Sequence, residues 1–140
     1  MDYVFEKVSF SRECVETLYH HLDTRISNIS HIRGSVSYED HVSFVLSNPY
    51  REWFLVKIGD RCIGNFYISF DNGIGINLVE EIPGCVMHIT RFVMRNITPI
   101  PEKKSVVPAY FFVNVSSSNG FLIDELERLG GVMIQLTYKV

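Results

Sequence analysis

At 140 residues and 46% hydrophobic, the chain fits a single domain, 1–140, that can bury an adequate core without disulfides or metal. Thirteen basic against sixteen acidic residues give a net charge of −3, which offers no electrostatic footprint for nucleic acid or an anionic membrane as partner. No apolar run approaches the ~20 residues of a membrane span, and Met1–Glu6 lacks the basic-then-apolar layout of a signal peptide, so a cytoplasmic protein is expected.

Tyr3 to Ser9 alternates weakly and reads as a first strand. Ser11 can cap the helix that follows, and Val15, Leu18, Tyr19, Leu22 and Ile26 keep the spacing of one apolar helical face. After an irregular polar stretch, Asn28 to Gly34, Ser37-Tyr38-Glu39-Asp40 resembles a capping box with Asp in the Glu position. Tyr38, Val42, Val45 and Leu46 then form the face of a second helix, stopped at Asn48-Pro49.

Trp53–Ile58, Arg61–Phe70 and Ile74–Val79 read as three antiparallel strands. Gly59-Asp60 suits the first hairpin, and Asn72-Gly73 supplies two positive-φ positions for a type I′ turn at the second. Past Glu80-Glu81-Ile82-Pro83, Gly84 opens a third helix carrying Val86, Ile89, Phe92 and Val93. Ile97 to Pro108 is a proline-containing loop. Ala109–Val115 is apolar nearly throughout and reads as a strand covered on both faces. Ser116–Asn119 caps a fourth helix ending at Gly130, and Val132–Val140 has the cleanest strand alternation in the chain. The order β-α-α-β-β-β-α-β-α-β gives an α/β (α+β) domain, with a mixed, mostly antiparallel sheet and helices on its faces.

Cys14, Cys62 and Cys85 are odd in number and widely spaced, so reduced thiols are expected rather than a disulfide framework or a zinc site. His20, His21 and His31 are isolated or on a polar face and are expected at the surface. His41 either borders a pocket or is a structural histidine. Asn65, Tyr67 and Asn77 lie on strand faces that could line an acceptor pocket, with core packing the simpler account of Tyr67.

This order, with the phrases Asn48-Pro49-Tyr50-Arg51-Glu52-Trp53, Ile63-Gly64-Asn65-Phe66-Tyr67-Ile68 and Asn72-Gly73-Ile74-Gly75-Ile76, resembles the GNAT family of acyl-CoA-dependent N-acyltransferases. The tail from Asn114 through Ser118-Asn119 and Glu127-Arg128-Leu129-Gly130 to Ile134-Gln135-Leu136-Thr137-Tyr138 is similar to the ending of members that act on small-molecule or sugar amines. The resemblance implies a GNAT-like fold, acetyl-CoA as cofactor, a small-molecule amine as substrate and direct acetyl transfer. It implies that the Ile74–Val79 and Tyr110–Val115 strands part around the pantetheine arm, that a backbone N–H near Leu78 or Val79 holds the oxyanion, and that Asn114 and Asn119 contact the cofactor arm and its loop. Pro83-Gly84-Cys85-Val86-Met87-His88 falls on the family's glycine-rich pyrophosphate turn, but only Gly84 keeps a glycine; Val86 and His88 replace two others. Glu80 or Glu81 is the candidate general base, and Ser118 the candidate proton donor to the thiolate, since Leu126 stands at the family's tyrosine position. Each also has a structural account: a solvated strand end for the glutamates, helix capping for Ser118 and Asn119. The alternative function is an inactive relative that binds no CoA and serves as a structural or protein-interaction module. A homodimer through an edge strand is open in either case.

Overall fold

Three hairpin-linked strands, β2 (Glu52–Ile58), β3 (Arg61–Ile68) and β4 (Gly73–Leu78), form the centre of a five-stranded sheet in the computed structural model. The structure describes residues 1–25 and 36–140, so the expectations for Ile26, Asn28–Gly34 and His31 fall outside the described residues. β1 (Tyr3–Lys7) pairs antiparallel with β2, and β5 (Phe112–Val113) pairs parallel with β4, giving the order β1-β2-β3-β4-β5. The fold is thus mixed α/β, with a mostly antiparallel sheet.

Period-two alternation sorts the strand side chains onto two faces. Phe54, Val56, Phe66, Ile68, Ile74 and Ile76 face one way. They pack against Cys85, Val86, Ile89 and Val93 of α3 (Cys85–Asn96) and Leu122 of α4 (Gly120–Arg128). Leu55 faces the other way and meets Cys14, Val15 and Leu18 of α1 (Arg12–Arg25) and Val45 of α2 (Tyr38–Leu46). Helices therefore cover both faces. The starts of α1, α2 and α4 are fixed by side chains: Ser11 Oγ accepts from Cys14 N at 3.2 Å, Ser37 Oγ from Asp40 N at 3.1 Å, and Asn119 Oδ1 from Leu122 N at 3.2 Å.

Three details differ from the sequence expectations. Asn72 takes φ 72° but Gly73 does not lie at positive φ, so the β3–β4 connection is not a type I′ turn. It is a three-residue loop closed by Ser69 N to Gly73 O at 2.8 Å, with Asn72 in the left-handed region. The strand expected at 109–115 is regular only at Phe112–Val113 and is half-buried there. Residues 132–140 form no strand at all and are exposed throughout. Alternation prepares a segment for pairing, but a ladder also needs a free edge, and within this chain the tail reaches none.

Candidate functional site

The sheet opens between β4 and β5. Their ladder consists of Gly73 opposite Phe112 and Ile74 opposite Val113, with Phe112 N donating to Asn72 O at 3.2 Å; beyond it β4 continues to Leu78 without β5 beside it. Ser69 and Gly73 are a hydrogen-bonded pair, so the antiparallel ladder turns the backbone groups of Gly75 and Asn77 toward β3 and those of Ile76 and Leu78 into the opening. A fork with backbone polar groups along one arm is the result.

Asn72 holds the closed end of that fork. Its side chain is fully buried; Nδ2 donates to Ile100 O at 3.1 Å and Pro108 O at 2.8 Å, while Oδ1 accepts from Ile100 N at 2.7 Å. These bonds tie Ile100 and Pro108 of the 97–108 loop to the β3–β4 turn and so bring the chain that forms β5 alongside β4. Nothing in the sequence distinguishes this asparagine from an ordinary turn residue.

Below the fork lies the start of α3. Gly84, at φ 88°, caps the helix without a side chain, and a Cβ built there would meet no atom within 4 Å. Its N–H instead donates to Glu125 Oε1 at 2.7 Å, a buried carboxylate supplied by α4. Arg128 Nη1 stands 3.8 Å from the other oxygen, Oε2. An acidic group at a helix N-terminus is favoured by the exposed amides and the helix dipole, so Glu125 occupies a position suited to an external anion.

Of the residues on the glycine-rich alignment, Val86 is fully buried with its side chain in the α3 core, not in the mouth of the turn. His88 is exposed, its ring 4.6 Å from that of Tyr3. Cys85 is fully buried, and burial pushes its thiol up to about 11, which keeps it protonated at neutral pH. Val79 N donates to Ile63 O at 2.8 Å, because the alternation of the β3–β4 ladder continues past Leu78 and makes Ile63 and Val79 the next hydrogen-bonded pair. That leaves Leu78, rather than Val79, presenting its N–H to the fork. Glu80 is paired with Arg61 at 2.8 Å, and Glu81 is exposed. Asn114 is exposed just past β5, Asn119 caps α4, and Ser118 shares a 2.9 Å hydroxyl contact with Ser116 in the loop between them.

On the opposite sheet face, α1 brings a histidine where a surface position was expected. His21 is buried, with Nδ1 2.9 Å from Asn65 Nδ2. Asn65 Oδ1 accepts from Trp53 Nε1 at 3.1 Å and Asn77 Nδ2 at 3.4 Å. Desolvation, with His20 adding to it, pushes His21 from 6.5 down to about 4, so the ring is neutral and accepts the amide hydrogen. The correction follows from spacing: His21 is three residues beyond buried Leu18, on the same helical face. His41 is the buried structural alternative, its Nε2 2.9 Å from Val15 O. Tyr67 lies across Gly75, where a Cβ would collide with its ring, and stacks on Tyr50 at 3.7 Å; it packs rather than lining a cavity. A separate open groove of about 530 Å³ lies between β1 and α3, lined by Tyr3, His88, Arg91 and Arg95 among others, and shares no lining residue with β4 or β5.

No family model matches the chain, and no curated protein matches it. Among solved structures, it is similar to a domain from Methanocaldococcus jannaschii, at TM-score 0.65 and 15% identity, covering 92% of this chain and 87% of that one. It is also similar to a possible acetyltransferase from Clostridium difficile, at TM-score 0.57 and 10% identity, covering 99% of this chain and 96% of that one. These likenesses establish the fold, a mixed α/β arrangement shared with a possible acetyltransferase. Among the described residues, no helix is long and apolar enough to cross a membrane.

Proposed function

We propose that the fork between β4 and β5 seats the pantetheine arm of acetyl-CoA and that the domain transfers the acetyl group to the amine of a small molecule. The observation that carries this reading is the parting of the two strands after Ile74 and Val113, which leaves the backbone groups of Ile76 and Leu78 directed into the gap. An extended polyamide arm can satisfy such groups as a missing strand would. The likeness to a possible acetyltransferase supports the same chemistry, and the sugar-amine subclass follows from the resemblance of the tail. Three free thiols fit a reducing compartment such as the cytoplasm.

In the transfer, the amine nitrogen forms a bond to the thioester carbonyl carbon while Leu78 N–H stabilises the oxyanion; the C–S bond then breaks. The amine loses a proton and the thiolate gains one. Glu81 is assigned as the acceptor because Glu80 is engaged by Arg61, and Ser118 is assigned as the donor. Asn114 and Asn119 flank the arm, and Gly84 lies at the pyrophosphate end.

Glu125 sets the terms of binding. Its carboxylate must leave Gly84 N–H, or share the helix end with a like-charged diphosphate. Glu125→Gln keeps an oxygen acceptor for Gly84 and removes the charge, so it is expected to tighten acetyl-CoA about tenfold, from a repulsion of about 1–2 kcal/mol. Titration calorimetry on both proteins reads this directly. The same contact favours a second reading, in which the seat is closed for good and the domain is an interaction module; absence of binding by both proteins would decide for it.

A further inference from the structure

We propose that the chain forms a two-fold dimer by strand exchange, residues 132–140 of each copy pairing along the free edge of the other copy's β5 segment. Two incomplete elements carry the inference. In the tail, Val132, Met133, Ile134, Leu136, Tyr138 and Val140 are all at least 62% exposed, although the segment alternates as a strand does. Across the sheet, the 109–115 segment is apolar on both faces yet is only half-buried at Phe111, Phe112, Val113 and Val115, with Tyr110 exposed. Each lacks the cover the other could provide.

The tail leaves α4 through a tight closure and joins no strand of its own sheet. Gly131 N donates to Leu126 O at 2.8 Å and Gly130 takes φ 95°, which closes the helix and fixes the direction in which the chain leaves. A Cβ at Gly131 would stand 2.8 Å from Leu126 O, so the close closure depends on glycine there. Leaving that turn, the tail runs exposed, and a second copy brings a β5 edge to it. Exchange is reciprocal, so it closes at two subunits without leaving an open edge at β5.

The opposite edge of the sheet is not the receiver. β1 carries Glu6 and Lys7, paired with Lys57 at 2.7 Å and with Glu52 at 3.3 Å, charges of the kind that discourage strand addition. The β5 segment carries no charged residue from Ala109 to Val115. Since β5 is also one arm of the fork, the exchanged strand backs that arm on its side away from β4.

Light scattering on the full chain tests this. The expected mass is twice 16.1 kDa, and Ile134→Lys with Leu136→Lys, at positions that touch no core residue, is expected to return the mass to 16.1 kDa with helical circular dichroism unchanged. A full chain of monomer mass, or a dimer untouched by the double variant, would overturn the proposal. If the variant fails to fold, hydrogen exchange on the wild-type chain decides. Protection of residues 132–140 that falls on dilution supports exchange; free exchange there, or protection independent of dilution, contradicts it.

Discussion

Val86→Gly is expected to destabilise the domain by about 3–4 kcal/mol, from the lost burial of a full valine side chain, the void it leaves and the cost of glycine within a helix. Val86 is fully buried in the cluster that joins α3 to the sheet, while His88, two residues on, is exposed beside Tyr3. His88→Gly is therefore expected to cost only about 0.5–1 kcal/mol, the helix-propensity difference. Urea unfolding of the two variants measures the contrast. Restoring glycine at the family's position thus weakens the fold without clearing the turn, because the group beside Gly84 is Glu125. A Val86→Gly protein as stable as its parent and tighter for acetyl-CoA would place that side chain in the mouth of the turn.

Stability is also expected to fall by about 3 kcal/mol as pH drops from 6.5 toward 4, through His21 alone. The folded chain holds this ring at about 4 against 6.5 for the free side chain, so between those values the unfolded state binds the extra proton and the folded state does not. The contribution is complete above 6.5 and is lost as pH falls toward the folded value. Among the described residues, the ring is hydrogen-bonded by Asn65, which in turn meets Trp53 and Asn77, none of which titrates in this range, and His20 lies adjacent on α1. Urea unfolding across the window, compared with His21→Gln, isolates the effect from carboxylates that titrate near its lower end. Equal slopes for both proteins would remove His21 as the cause.

What the sequence made legible was local. Serine and asparagine caps, the Gly59-Asp60 turn at Ile58–Arg61 and the apolar faces of α1 and α3 are properties of neighbouring residues and are found where their patterns lie. On α2 the expected face holds only at Val42 and Val45, with Tyr38 and Leu46 exposed and His41 buried instead. The features that shape the candidate site and the buried polar cluster on the opposite face are contacts between distant residues. Glu125 meets Gly84 across 41 positions, Asn65 meets His21 across 44, and Asn72 reaches Pro108 across 36. No periodicity announces such pairs, and a glutamate on a helix reads as solvated until its partner is in place. The strand at 132–140 failed for a related reason: alternation specifies which face is apolar but not which edge receives it.

The fork and the capped helix end make different demands on a ligand. The fork offers backbone groups to an extended arm; at the α3 terminus the Gly84 amide is already held by an internal carboxylate. A diphosphate must compete for that amide, whereas the arm meets no such rival at Leu78. Affinity is therefore expected to reside mainly in the pantetheine portion, which separates this site from a glycine-rich turn that wraps phosphates with several amides.

Amide chemical-shift mapping of the full chain during titration with acetyl-CoA tests the fork most directly. The account predicts perturbations centred on Ile76, Leu78 and Asn114, with Val4 and Lys57 at the far side of the sheet unmoved. A spectrum unchanged at saturating cofactor, or changes confined to Tyr3, Arg91 and Arg95 in the groove between β1 and α3, would contradict it.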